Sequence, residues 1–114
     1  PENYIRSGVE IDMRGAPSGS PTNAAGYPRN GPWFWRQLAE RNPEYFSRDN
    51  LNAIAMRRAP SVDEHWARHF PAHQGYVGER LVHHHIDQGP IATPLPERVH
   101  KAWYEALHSN RGGR

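Results

Sequence analysis

The sequence predicts an α+β fold, mainly helical, in which a C-terminal hairpin-plus-helix unit follows short helices and an irregular Gly/Pro-rich arm. Three observations predict it. Apolar residues recur at helical spacing between residues 32 and 70, in runs cut by proline. A run of apolar and β-branched character at 80–84 and a shorter one at 91–93 flank an Asp-Gln-Gly-Pro turn, with an amphipathic segment at 96–108 behind them. The first 31 residues have no hydrophobic period and are dense in Gly, Pro, Ser and Asn. At 114 residues the chain is read as one domain, made of the arm (1–31), a helical segment (32–72) and a hairpin-plus-helix core (78–109).

In the arm, turns are placed at Pro17-Ser18-Gly19 and Arg29-Asn30-Gly31, and Tyr4, Ile5, Val9, Ile11 and Met13 are the residues able to anchor it to the body. Residues 32–41 read as a helix. Pro32 suits its first turn, Trp35 and Leu38 lie at i and i+3 with Phe34 beside them, and Asn42-Pro43 ends it. Residues 48–57 form a second helix capped by Ser47, with Leu51, Ile54 and Ala55 inward. The third starts at Ser61, where Ser61-Val62-Asp63-Glu64 reads as a capping box, and stops before Pro71. Gly75 and Gly78 bracket a loop before the strand at 80–84. Pro96 opens the last helix, whose stripe is Val99, Trp103, Ala106 and Leu107.

Hydrophobic residues make up 36% of the chain and mean hydropathy is −0.94, yet there are four Trp, five Tyr and three Phe. A small, aromatic-rich core is expected. No run approaches the roughly 20 apolar residues of a membrane-spanning helix. The chain opens on Pro1 rather than Met, which reads as a piece of a longer protein, and no signal-peptide pattern is present. Cysteine is absent, so disulfides contribute nothing and any metal must be held by His, Asp, Glu or Asn. Formal net charge is only +2. Lys101 is the sole lysine and every other cation is Arg, the side chain that grips phosphate through a planar fork; a GC-rich genome yields the same bias.

The chemistry concentrates in histidine. His83, His84 and His85 are consecutive, and His100 and His108 follow on the last helix. Neighbours on a strand point to opposite faces, so three in a row do not all enter one core. Imidazole is both a transition-metal ligand and a general base near neutral pH, and adjacent histidines can divide those roles. His100 supplies a second ligand from a different element. A divalent ion held by two His keeps positions open for water and a phosphate oxygen. A surface cluster of histidines is the structural alternative.

The segment GERLVHHHIDQGPIATPLPERVHKAWYEALH resembles the nuclease core of polymorphic toxins, HNH/endonuclease VII superfamily (ββα-metal) domains whose motifs centre on a His-His pair. The family pattern runs Trp-His-His, His-x-Asp-x-Gly, Pro-x-x-x-His, then His near Gly-Gly. Here Val82-His83-His84-His85, Asp87, Gly89, Pro96, His100, His108 and Gly112-Gly113 stand in those places, with Val82 where Trp is usual and a slightly longer gap from Gly89 to Pro96. The resemblance implies a metal ligand at His83, a general base at His84 and a second ligand at His100; the alternative register uses His84 and His85. It implies one divalent ion, whether Mg²⁺, Mn²⁺, Zn²⁺ or Ni²⁺, and a phosphodiester substrate; DNA is the leading reading, and the motif does not separate DNA from RNA. The upstream segments resemble the lead-in of toxins at the C-terminus of Rhs-type carriers. That implies a carrier protein, a cognate immunity protein, and an effector, secreted or delivered, that acts in the target-cell cytoplasm.

Other residues stay open between two readings. His108 faces the site as a further metal ligand or caps the helix C-terminus. Arg80, Arg98 and Lys101 contact phosphate, with Arg80 close enough to the His run to assist catalysis, or are ordinary surface charge. Arg6, Arg14 and Arg29 track a nucleic acid backbone or simply belong to a pinned arm. Asp87 orients a histidine or serves the turn. His65 and His69, at i and i+4, have a spacing that can bind a metal on one helix face, but read rather as a solvated or aromatic-packed face, and His73 as a surface residue. Two other functions compete with the nuclease: a metal-independent RNase using a His acid/base pair, and a non-enzymatic zinc module held by His alone.

Overall fold

The computed structural model of the protein describes residues 8–102. The chain order is β1 (Ile11–Asp12), α1 (Gly31–Arg41), α2 (Arg48–Ala55), α3 (Glu64–His69), β2 (Leu81–His85), β3 (Ile91–Pro96) and a helix α4 that covers 97–102 of the described residues. The α+β class and the strand–turn–strand–helix order agree with the sequence reading. Trp103, Ala106 and Leu107 of the last helix, and Tyr4 and Ile5 of the arm, lie outside the described residues.

The arm is more ordered than its composition suggests. Ile11 pairs with Ala92 and Asp12 with Ile91, so the arm contributes a third strand in the order β1-β3-β2. Ile11 and Met13 are buried in the core, as expected of anchors. Asp12 caps the following 3₁₀ turn and accepts two bonds from the Arg14 guanidinium, at 3.0 and 2.7 Å. That ion pair holds the Asp12 carboxyl down at about 2. It also occupies Arg14, which was one of the arm's candidate phosphate contacts. The turn at Pro17-Ser18-Gly19 forms, with Gly19 at φ +87°. Arg29-Asn30-Gly31 is not a turn. Asn30 is the N-cap of α1, its side chain accepting from Trp33 N at 3.0 Å. Asn23 organises the preceding loop and reaches Gln88 O at 3.1 Å, which ties the arm to the hairpin turn.

α1 matches its expected span and buries Phe34, Trp35 and Leu38. α2 is capped by Ser47 as expected, but Ala55 is exposed and the buried polar residue is Asn50. Asn50 donates to Ser61 O and accepts from Ser61 N, both at 2.9 Å. This is why the expected capping box is absent. With its backbone committed to Asn50 and paired with Arg80, Ser61 is extended, and Asp63 caps α3 instead, accepting from Trp66 N at 2.8 Å. The loop between α3 and β2 carries a 3₁₀ turn, Pro71–Tyr76.

β2 and β3 are antiparallel, with His84 opposite Thr93 and His85 opposite Ala92. β3 runs three residues past its expected end. β1 covers only Ile91 and Ala92, so Pro94 and Pro96, which share one strand edge, cost no ladder hydrogen bond there. The sheet's faces divide cleanly. Leu81, Ala92 and Ile11 lie on the face that joins Phe34, Trp35, Trp66 and Phe70 in the core. The other face carries His84, which meets α4.

Candidate active site

β2 is an edge strand, so side chains from both its faces reach the same opening. That opening is a cleft of about 950 Å³ whose lining includes His83, His84, His85 and His100, with Arg29, Arg57 and Arg80 among its cations and Glu97 as a counter-charge. Residue 80 is held there by backbone pairing on both sides, since Ser61 bridges it and Arg80 O accepts from Glu97 N at 2.8 Å.

Strand alternation sorts the three histidines. His83 and His85 share the α1-facing side, with ring centroids 5.7 Å apart, and His83 lies 5.6 Å from Phe34. His84 points the other way and is 2% exposed. Its Nδ1 stands 3.1 Å from Nδ1 of His100. The structure thus brings His100 to His84, whereas the reading favoured from sequence joined it to His83. The cause is packing: Leu81 and Phe34 fix which face of β2 enters the core, and α4 covers the other.

Each ring has a distinct electrostatic setting. His85 Nδ1 is 2.8 Å from Gly89 O. A carbonyl only accepts, so Nδ1 carries a proton, and in the corresponding neutral tautomer Nε2 is the bare nitrogen. The Nε2 atoms of His83 and His85 are buried and make no hydrogen bond. Burial, followed by the charges of His85, Arg29, His100 and His84, pushes His83 down to about 4, so it is neutral at pH 7.

As a hydrogen bond, the His84–His100 contact needs one Nδ1 protonated and the other bare. With both bare, the same pair has the spacing of two ligands on one ion. Nitrogens about 2.0–2.1 Å from a metal lie roughly 2.9–3.4 Å apart at octahedral to tetrahedral angles. Among the described residues no group of three His, Cys, Asp or Glu side chains converges on a point. The pair His84 and His100 alone has the spacing that two imidazole ligands of one ion would need.

A family model for HNH/Endo VII superfamily nuclease toxins with an HHH motif matches residues 6–109. The chain belongs to this family. No curated protein and no solved structure matches it. His83-His84-His85 is the chain's one run of three histidines, and the cleft forms around it. This nuclease toxin places its remaining candidates as follows. Arg80 lines the cleft. Arg98 does not: its guanidinium is held by Glu79 at 2.8 Å and lies 5.1 Å over the Tyr76 ring. Lys101 is exposed on α4 and is not part of the cleft lining. His108 and Arg6 lie outside the described residues. Asp87 is exposed at φ +52°, followed by Gln88 at φ +58°, the paired left-handed geometry of a tight hairpin turn.

The remaining histidines are structural. His65 Nε2 donates to Glu44 O at 2.8 Å, and His69 packs 5.5 Å from Tyr45, which is the expected aromatic-packed face. His73 is not a surface residue. It is fully buried and accepts from the Trp66 indole at 2.8 Å, because the 3₁₀ turn folds it back onto α3. Sequence reasoning passed over Arg57 entirely. The signal available was faint: an arginine just past the end of α2, where the chain must reverse.

Proposed function

We propose that this nuclease toxin is a metal-dependent endonuclease that hydrolyses DNA phosphodiester bonds with little sequence preference. The observation that carries the reading is the 3.1 Å approach of His84 and His100 from strand and helix, with His85 lining the same cleft from the other face of β2. In this reading His84 and His100 hold one divalent ion, Mg²⁺, Mn²⁺, Zn²⁺ or Ni²⁺. Bound there, the ion supplies Lewis-acid stabilisation of the charge on the phosphate and on the leaving 3′ oxygen.

His85 is the general base. Its Nδ1–H is anchored on Gly89 O, so the ring cannot turn away and its bare Nε2 takes a proton from the attacking water. The water oxygen bonds to phosphorus as the bond to the 3′ oxygen breaks. This assignment follows the alternative register, in which His84 and His85, not His83 and His84, serve as ligand and base. His83 stays neutral and walls the site without adding charge next to the ion. Arg80 neutralises a phosphate at the cleft mouth.

Water attack needs no 2′ hydroxyl, which supports DNA as a competent substrate. A nuclease toxin needs a cognate immunity protein in its producer, and an Rhs-type carrier suits delivery into the cytoplasm of a competitor. No helix among the described residues is long and apolar enough to cross a membrane.

Incubation with plasmid DNA and with total RNA, in Mg²⁺, Mn²⁺, Zn²⁺, Ni²⁺ or EDTA, tests the proposal. Plasmid nicking and linearisation with metal, abolished by EDTA, is the expected result. RNA cleavage that survives EDTA overturns it in favour of a His acid/base RNase. Metal binding with no cleavage of either substrate overturns it in favour of a non-catalytic zinc module.

A further inference from the structure

Arg57 sits where a glycine belongs. α2 ends at Ala55, and the chain reverses through Met56 and Arg57, with Arg57 N bonding Ile54 O at 3.0 Å and Arg58 N bonding Ala53 O at 2.8 Å. This is a helix-terminating turn whose reversing residue must be left-handed, a place that Gly fills without a Cβ penalty. Arg57 occupies it at φ +62°. An L-residue held in that region costs stability, and such positions concentrate at functional sites.

Arg57 stands where two openings meet, a smaller one between α1 and α2 and the cleft of the histidines. Arg57 lines the same cleft as His83, His84 and His85. Arg29 and Arg80 line it too, so three arginines from three separate segments surround one opening: the loop before α1, the end of α2 and the start of β2. Arg14 and Arg98 are locked in ion pairs with Asp12 and Glu79, whereas Arg57 makes no ion pair among the described residues. Arg58, its neighbour, is also exposed but does not line the cleft.

We propose that Arg57 is a phosphate-binding residue of the nuclease cleft, kept in a strained left-handed position because its guanidinium grips the substrate backbone beside the histidines. The inference rests on the nuclease reading. It adds a residue from the end of α2 to a cleft otherwise lined from the arm, α1, the hairpin and α4. With Arg29 and Arg80 it defines a track in which a phosphodiester chain is held at more than one phosphate.

The test separates binding from cleavage. Binding of a short fluorescein-labelled DNA duplex is followed by anisotropy in EDTA across a salt series, with melting temperature measured alongside. Arg57→Gly relieves the left-handed strain, so its melting temperature is expected to equal or exceed that of the wild type. Its affinity should nevertheless fall about tenfold, and its salt slope should shrink by about one, the signature of a lost phosphate contact. Arg57→Asn, which tolerates the same backbone, should behave alike, and Arg57→Lys should keep most of the slope. Arg58→Ala, with equal loss of charge, should change neither affinity nor slope.

A slope and affinity unchanged in both Arg57→Gly and Arg57→Asn, or an equal loss in Arg58→Ala, overturns the assignment while leaving the nuclease reading intact. No binding of duplex or single-stranded nucleic acid by the wild type overturns both. Cleavage absent under every metal, with the Arg57 dependence of binding intact, overturns the nuclease reading alone.

Discussion

The hydrogen bond from His85 Nδ1 to Gly89 O leaves Nε2 as that ring's free nitrogen, the one the proposed base would use. His84, on the opposite face, is occupied with His100. The division of labour gives opposite mutational signatures. His85→Ala is expected to lower turnover by at least about a hundredfold, the usual contribution of a general base, while calorimetry finds metal affinity little changed. His84→Ala and His100→Ala are expected to weaken metal binding and activity together. Near-normal turnover in His85→Ala, with His84→Ala inactive but still metal-loaded, returns the base to His84. The histidine run was legible from sequence, as was its division between two faces, because alternation along a strand is local. Which face meets the helix was not legible. That depends on Leu81 entering a core built by Phe34 and Trp35, contacts more than forty residues distant along the chain.

Elements were most legible where their ends carry local chemistry. Asn42-Pro43 stops α1 and Ser47 starts α2 as read. The misplaced cap of α3 and the missed strand β1 share a different cause: both depend on partners distant in sequence. Ser61 looks like a cap until Asn50 occupies its peptide groups, and Ile11 looks like loop until β3 offers it an edge. Asn50 is therefore a joint between elements. It fixes the 60–62 segment, whose backbone bonds to Glu79 and Leu81 lead directly into β2. Asn50→Ala removes the side-chain partner of both the N–H and the C=O of Ser61, part-buried bonds of 2.9 Å each. The expected cost is about 1–3 kcal/mol, read as a fall in melting temperature on the order of 10 °C. A shift below a degree or two denies it that role. Because β2 carries the histidines, metal affinity should fall along with stability, although Asn50 is not in the cleft lining.

Across the whole molecule, a formal charge of +2 conceals an uneven distribution. Arg14 and Arg98 are neutralised by acidic neighbours, while Arg29, Arg57 and Arg80 gather at one cleft with Glu97 as the nearby acid. Net charge could not reveal this, since it emerges only when the arm, the end of α2 and the start of β2 converge. The same convergence bears on specificity. Base reading needs an element that enters a groove and presents side chains to base edges. This cleft is instead lined by arginines and imidazoles, a set suited to phosphate. Cutting with little sequence preference is therefore expected. Log affinity for duplex DNA should fall with log salt at a slope of roughly −3, given three arginine contacts at about −0.9 each. Sequencing the ends produced from genomic DNA checks the first expectation, and the anisotropy salt series the second. A consensus of several bases at the cut sites requires a base-reading surface that the described residues of this cleft do not form, and sinks the claim. A slope near zero removes the arginines as phosphate contacts even if cleavage proves indiscriminate.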